Sequence, residues 1–274
     1  MKYKLLAIDM DGTFLNDEKA ITEGNLNAVR KTAEKGVKVV VCSGRNLSGL
    51  KPLLKYMPSN QPIIAVNGSI IFDYNKAVIY SNPLENHTVL NIIDFLREEY
   101  NDTFYQFFHG NASCSERFEG IMKTYYERNQ KQHREYRMEL RIVADSKKYI
   151  EDNNAVVSKL EIHEDNAILL KEIREKLENL IDIEIVSSGA GSIEITKKDS
   201  NKGLSLEILA KHYNYSLEEC IAVGNDENDL EMIKKAGLGI AVKNARDNVK
   251  EAADYITLRD NNNDAIAEVI EKFI

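Results

Sequence analysis

Two carboxylates stand two residues apart in Asp9-Met10-Asp11-Gly12-Thr13, directly after the apolar run Leu5-Leu6-Ala7-Ile8. Strand side chains repeat on one face every second residue, so Asp9 and Asp11 can face a single crevice. Gly12 lets the chain turn sharply there, and Thr13 adds a hydroxyl. Acidic groups at the carboxyl end of a parallel strand lie where open α/β sheets bind ligands. The same five residues also describe a strand that simply ends in a polar turn.

Lys202 stands where a helix should begin, and a cation there opposes the positive end of the helix dipole. An anion bound between the lysine and the helix terminus would relieve that conflict. Taken alone, Lys202 also reads as a solvated residue like its neighbours Lys197 and Lys198. Farther on, Gly224-Asn225-Asp226-Glu227-Asn228-Asp229 packs several oxygen-bearing side chains into one turn after an apolar strand. Such a set suits a hard divalent cation such as Mg2+, and it equally suits an acid-rich helix start.

These residues need a frame. Thr22 can cap a helix running to about Lys35, with Gly36 just past its end. Val37 to Cys42 is a nearly continuous β-branched run, the pattern of a strand covered on both faces. The turn Ser43-Gly44-Arg45 leads to a helix from about Asn46 to Tyr56, then to a strand from Ile63 to Val66 that ends at Asn67-Gly68. Polar or glycine-bearing turns thus recur at three successive strand ends. Right-handed crossovers bring such turns to one edge of a sheet.

Ile70 to Tyr80 reads as a short hairpin and Asn82-Pro83 as a boundary. The pattern then changes. Val89, Ile92, Ile93, Leu96 and Tyr100 keep helical spacing, Thr103 to Phe108 and Lys159 to His163 read as strands, and Leu169, Ile173, Leu177 and Leu180 form a helical stripe. Phe104, Tyr105, Phe107 and Phe108 are expected in the core of this module, and Ile183 to Val186 is its closing strand. A Ser/Gly-rich link at Ser187 to Gly191 leads into Ile193 to Thr196, where the earlier rhythm resumes. The expected organisation is one α/β domain, residues 1–83 and 189–274, interrupted by an α+β module, 84–188.

A chain of 274 residues with 44 Asp and Glu against 36 Lys and Arg carries a formal charge of -8. That balance argues against nucleic acid or anionic membrane as a partner and leaves room for a small anion held by local cations. Cys42, Cys114 and Cys220 are odd in number and far apart, which points to reduced thiols and a cytoplasmic setting. The opening apolar run ends at Asp9, too short for a membrane span. His87, His109, His133, His163 and His212 show no metal-ligand spacing, and the basic run from Lys123 to Arg141 is interleaved with glutamates, as on a solvated face.

Together, in this order, Asp-x-Asp-Gly-Thr, Ser-Gly-Arg, Lys-Gly opening a late helix and Gly-Asn-Asp-Glu-Asn-Asp after a late strand form a pattern over the whole chain. It resembles the haloacid dehalogenase-like phosphohydrolases of the Cof type, in which an α/β cap is inserted between the second and third motifs. The resemblance implies a Rossmann-like core with a parallel sheet, and a Mg2+-dependent hydrolase of small phosphate esters such as sugar phosphates. It implies Asp9 as nucleophile, forming an aspartyl-phosphate, and Asp11 as general acid and base. Gly12, Thr13, Ser43, Gly44, Arg45, Asn67, Lys202, Asn228 and Asn244 match positions that line the family's phosphate and substrate site.

For the metal, the resemblance implies Asp9, Asp11 and the turn at 225–229, with one departure. The family's fourth motif usually reads Gly-Asp-x-x-Asn-Asp, and Asn225 stands where its metal-binding aspartate is expected. An amide oxygen brings no charge, so weaker Mg2+ binding is expected unless Asp226 or Asp229 makes up the deficit. A phosphomutase of the same superfamily, or a phosphate-binding regulatory protein with weakened catalysis, is an alternative that the same motifs allow. The physiological substrate and the oligomeric state have no signature in the sequence.

Overall fold

The computed structural model describes residues 2–187, 189 and 191–274, and every side chain among them but that of Leu180. Ser188 and Ala190, part of the expected link, lie outside the described residues. The first stretch runs β1 (Leu5–Asp9), α1 (Glu23–Glu34), β2 (Lys38–Cys42), α2 (Leu47–Leu54), β3 (Ile63–Ala65), β4 (Ile70–Phe72) and β5 (Val78–Ser81). The middle adds α3 (Asn86–Glu99), β6 (Phe104–His109), β7 (Ala112–Ser115), α4 (Gly120–Gln130), β8 (Glu139–Ile142), α5 (Ser146–Asp152), β9 (Val157–His163), α6 (Ala167–Leu180), β10 (Ile183–Val186) and β11 (Ser192–Lys197). The last stretch holds α7 (Lys202–His212), β12 (Cys220–Gly224), α8 (Leu230–Lys235), β13 (Leu238–Ala241), α9 (Asp247–Ala252), β14 (Tyr255–Ile256) and α10 (Ala265–Phe273).

The chain divides into two compact units, one of residues 1–44, 53–81 and 201–274, the other of 45–52 and 82–200. The first unit is an eight-stranded sheet in the order β14-β13-β12-β1-β2-β3-β4-β5, parallel except for the β4 and β5 edge. Every residue of β1 is buried, and alternate strand residues face opposite ways, so both faces of the sheet are covered. Leu206 and Leu209 of α7 and Met232 of α8 pack with Leu5, Ala7 and Val40 on one of those faces. From β3 to β14 the spatial order is that of a doubly wound sheet, with its reversal between β1 and β12.

The entry to α1 departs from expectation. Thr22 is the cap residue, but its hydroxyl donates to Asp264 Oδ1 instead of serving the helix. Asp264 then accepts from the Asn25 amide at 3.1 Å, so the helix start is capped by a residue from the other end of the chain. A second correction concerns the return from the insertion. Ile193 to Thr196 lies in β11, which pairs antiparallel with β10 and β9, so the first unit resumes at Asn201 and not at 189. Short apolar runs look alike in either sheet, and only the pairing partner distinguishes them.

The second unit is a six-stranded sheet, β10-β11-β9-β6-β7-β8, antiparallel except where β7 meets β8. Alternation sorts its faces. Tyr105, Phe107, Leu160, Ile162, Ile193 and Ile195 join Val89, Ile92 and Leu96 of α3 and Ile173 and Leu177 of α6 in one apolar core. The opposite face carries Lys159, buried between Glu161 Oε1 at 2.5 Å and Glu194 Oε2 at 2.7 Å. Gln106 donates to Glu161 and accepts from Ser113 Oγ at 2.6 Å, and His163 Nε2 lies 3.3 Å from Glu161. Burial opposes ionisation, yet the Lys159 ammonium, helped by His163, holds Glu161 well below the usual carboxylate range.

Removing the ammonium would leave two buried carboxylates without a counter-charge. Lys159→Met is therefore expected to lose about 3–5 kcal/mol in denaturant unfolding at pH 7. Because Glu161 is depressed in the folded state, its contribution is complete above the ordinary glutamate value of 4.5 and is lost as pH falls below it. The gap between wild type and variant should narrow on acidification, and a pH-independent gap would contradict the assignment.

Candidate active site

β1 and β12 flank the reversal in strand order, and the crevice beyond their carboxyl ends is where such sheets place a ligand. β1 delivers Asp9, 5% exposed, and β12 runs through Gly224 into Asn225–Asp229. Ser43 follows β2 at the same edge; its amide donates to Ile64 O, and its carbonyl accepts from the Asn67 amide at 3.1 Å. Gly12, at φ 81, makes the turn that an L side chain resists, and a Cβ there would lie 2.7 Å from the Asn225 side chain.

Lys202 opens α7 and is fully buried. Its Nζ lies 2.7 Å from Asp9 Oδ1 and 2.7 Å from Asp229 Oδ1. The anion demanded at this helix start is thus supplied by the chain itself. Asp229 Oδ2 accepts from the Asn225 and Asp226 amides at 2.8 and 3.1 Å, so both of its oxygens are engaged. Burial, then the Asp229 carboxylate, push the Asp9 carboxyl up to about 7 against the pull of Lys202. Burial would lower the Lys202 ammonium, but Asp229 and Asp9 together raise it. Beneath them, burial raises the Cys42 thiol and keeps it unreactive.

One end of the Asn225 carboxamide lies 3.1 Å from Asp9 Oδ2, 3.0 Å from the Asp11 main-chain oxygen and 2.8 Å from Thr13 Oγ1. In an octahedral site with bonds of about 2.0–2.1 Å, neighbouring ligand oxygens are about 3 Å apart. The distances of Asn225 from Asp9 and from Asp11 are of that size, so with its oxygen facing them the amide could join one carboxylate and one carbonyl on a small hard cation. Among the described residues no three His, Cys, Asp or Glu side chains are grouped to hold a metal. Asp229 is committed as above. Asp226 Oδ1 takes the Glu227 amide at 2.7 Å and Arg246 Nε at 2.9 Å.

The arrangement places a buried carboxylate, a fixed ammonium and a cation-sized set of oxygens at one strand end. The chain matches the model of the haloacid dehalogenase-like hydrolases over residues 6–270. It belongs to that family. Among its relatives, the 5-amino-6-(5-phospho-D-ribitylamino)uracil phosphatase YcsE of Bacillus subtilis strain 168 is 31% identical over 271 residues, 99% of this chain and 96% of the relative. The pyridoxal phosphate phosphatase YbhA of Escherichia coli K12 is 27% identical, with 98% of each covered. A solved haloacid dehalogenase-like hydrolase from Bacteroides thetaiotaomicron has a TM-score of 0.83 at 32% identity, over 99% of this chain and 100% of that one. The chain is a phosphatase of the family's Cof type.

Several residues matched to the phosphate site also make contacts within their own unit. Asn67 is buried at φ 52, between Val66 at φ 54 and Gly68 at φ 97, and its Oδ1 accepts from Asn228 Nδ2 at 3.1 Å. Three left-handed residues in succession, one of them β-branched, are costly unless the surroundings hold them. Asn244 has both ends occupied: Nδ2 donates to Gly12 O at 2.8 Å, and Oδ1 accepts from the Asn261 amide at 3.0 Å. Arg45 belongs to the second unit and donates to Gly49 O.

Sequence reading missed Asn261 and Lys19. Asn261, 3% exposed, donates to Leu15 O at 3.1 Å and Asp17 Oδ1 at 3.0 Å, pinning the loop that follows Asp11. Lys19 Nζ lies 3.1 Å from Asp11 Oδ1. The polar run Asp260-Asn261-Asn262-Asn263-Asp264 was the available signal for the first, yet it reads only as a loop. A residue that orients the turn should affect turnover more than affinity. Asn244→Ala is expected to lower kcat by about 10- to 100-fold with KM within about threefold of wild type; a KM effect alone would return Asn244 to the phosphate.

Proposed function

We propose that the protein is a Mg2+-dependent phosphomonoesterase acting on small phosphorylated metabolites through an aspartyl-phosphate on Asp9. The observation that carries this reading is the buried 2.7 Å contact of Lys202 with Asp9, on the turn that also holds Asp11. Attack of one anion on another needs the phosphoryl charge neutralised, and Lys202 is fixed beside the attacking carboxylate. Asp9 forms its bond to phosphorus as the bond to the leaving oxygen breaks, and Asp11 donates its proton to that oxygen. The ionised Asp11 then takes a proton from water, which attacks the phosphorus and releases phosphate and free Asp9.

Ser43 and Lys202 hold phosphoryl oxygens in this reading, while Thr13 acts through Asn225. Asp9 Oδ2, the Asp11 carbonyl and Asn225 would hold the cation, which when bound supplies further charge neutralisation at the phosphate. A cytoplasmic location belongs to the proposal, supported by three buried cysteines outside any disulfide.

For substrates, the names of two relatives specify phosphate monoesters attached to nitrogen heterocycles. Such esters, with sugar phosphates, form the panel to test. Purified protein should release inorganic phosphate from at least one of them with Mg2+ and stop in excess chelator. Asp9→Asn should show no release. An absence of Mg2+-stimulated release across the panel would overturn the magnesium reading.

A further inference from the structure

The amide of Asn225 has two chemically opposite ends, and only one of them faces Asp9 Oδ2, the Asp11 carbonyl and Thr13 Oγ1. Two of those three groups are pure acceptors. With an oxygen turned toward them, Asn225 Oδ1 accepts from the Thr13 hydroxyl but stands 3.1 Å from the Asp9 carboxylate oxygen and 3.0 Å from the Asp11 carbonyl, acceptor against acceptor. With the nitrogen turned inward, the two N–H groups of the amide are shared among three acceptors, Asp9 Oδ2, Asp11 O and Thr13 Oγ1, so each contact joins a donor to an acceptor. Asp9 then has Lys202 on Oδ1 and Asn225 on Oδ2.

We infer that the Asn225 carboxamide is a built-in substitute for the cation: its nitrogen end holds Asp9, Asp11 and Thr13 together when no cation is bound, and a cation enters only as the amide turns its oxygen inward. The second half rests on the magnesium reading above; the first does not. Local charge explains why an amide serves here. Asp9 and Asp229 share the single ammonium of Lys202, and the carboxylates of Asp226 and Asp11 are drawn toward Arg246 and Lys19. An aspartate at 225 would add a third anion beside Lys202, tolerable only with a cation present. The asparagine removes that repulsion and adds a competing hydrogen bond, so the cation-free protein is more stable and the cation binds more weakly.

The test is thermal melting of the full chain without substrate, at pH 8, in chelator and across a MgCl2 titration. Asn225→Asp should melt about 2–6 °C below wild type in chelator. It should then rise more steeply with Mg2+, with a midpoint at least about tenfold lower, because ligand charge sets affinity for such ions. Asn225→Ala should lose stability in chelator and bind Mg2+ no more tightly than wild type. An Asn225→Asp protein as stable as wild type in chelator overturns the inference, and if that variant does not fold, an Asn225→Ala protein with wild-type melting in chelator does the same. If neither wild type nor Asn225→Asp responds to Mg2+, the cation half is overturned together with the magnesium reading, while the chelator comparison still decides the first half.

Discussion

A fully buried ammonium between two carboxylates fixes the geometry of the catalytic unit. Lys202 begins a helix whose dipole opposes it, and it is stable there only because Asp9 and Asp229 each approach to 2.7 Å. The three side chains come from β1, α7 and the turn after β12, with 193 residues separating Asp9 from Lys202 and a further 27 separating Lys202 from Asp229. They meet because strand order reverses between β1 and β12, which opens a crevice at their shared carboxyl edge. Two carboxylates to one lysine leave the cluster with an excess negative charge. Burial first, and that excess after it, hold the Asp9 proton more tightly than an ordinary aspartate would.

Around this charged centre the frame is built from amides. Asn228 binds Asn67, Asn244 binds Gly12 and Asn261, and Asn261 reaches back to Leu15 and Asp17. Amides can donate and accept at once without adding charge. A frame of carboxylates would have deepened the imbalance that Lys202 only partly offsets. The left-handed run Val66, Asn67 and Gly68 belongs to the same frame: its strain is held by the Asn228 contact and by Ser205 Oγ, which donates to Gly68 O at 2.7 Å.

What could be read from the residues was local. Alternation, β-branched runs and turn chemistry placed β1, β2, β12 and the three polar strand ends, because each is written within a dozen neighbouring residues. Four ordered motifs then pointed to the family. Pairing was not legible: β11 has the same apolar look whether it joins β9 or a parallel sheet, and the boundary was expected at 189 for that reason. Nor was the Asp264 cap of α1, which spans the length of the chain. Asn67, Asn228 and Asn244 stand at motif positions, while their partners, Asn261 among them, are set by contacts across the fold that no local pattern records.

The two units contain the same buried arrangement, one lysine between two carboxylates, and the difference between them separates structure from function. In the second unit Lys159 meets Glu161 and Glu194, and the remaining valences of Glu161 are closed by Gln106 and His163, with Ser113 completing Gln106. That network is fully connected through side chains, which makes it rigid and leaves it little reason to take a ligand. In the first unit Asp229 is closed in the same way by two main-chain amides, but Asp9 is not. Its second oxygen lies 3.1 Å from the Asn225 carboxamide, whose same end also meets the Asp11 carbonyl and the Thr13 hydroxyl. A buried ion cluster with one reversible member can exchange an internal hydrogen bond for an external cation; one with every member fixed cannot. What separates the two clusters is therefore the uncharged carboxamide beside Asp9, whose facing end decides whether Asp9 Oδ2 meets a donor or another oxygen.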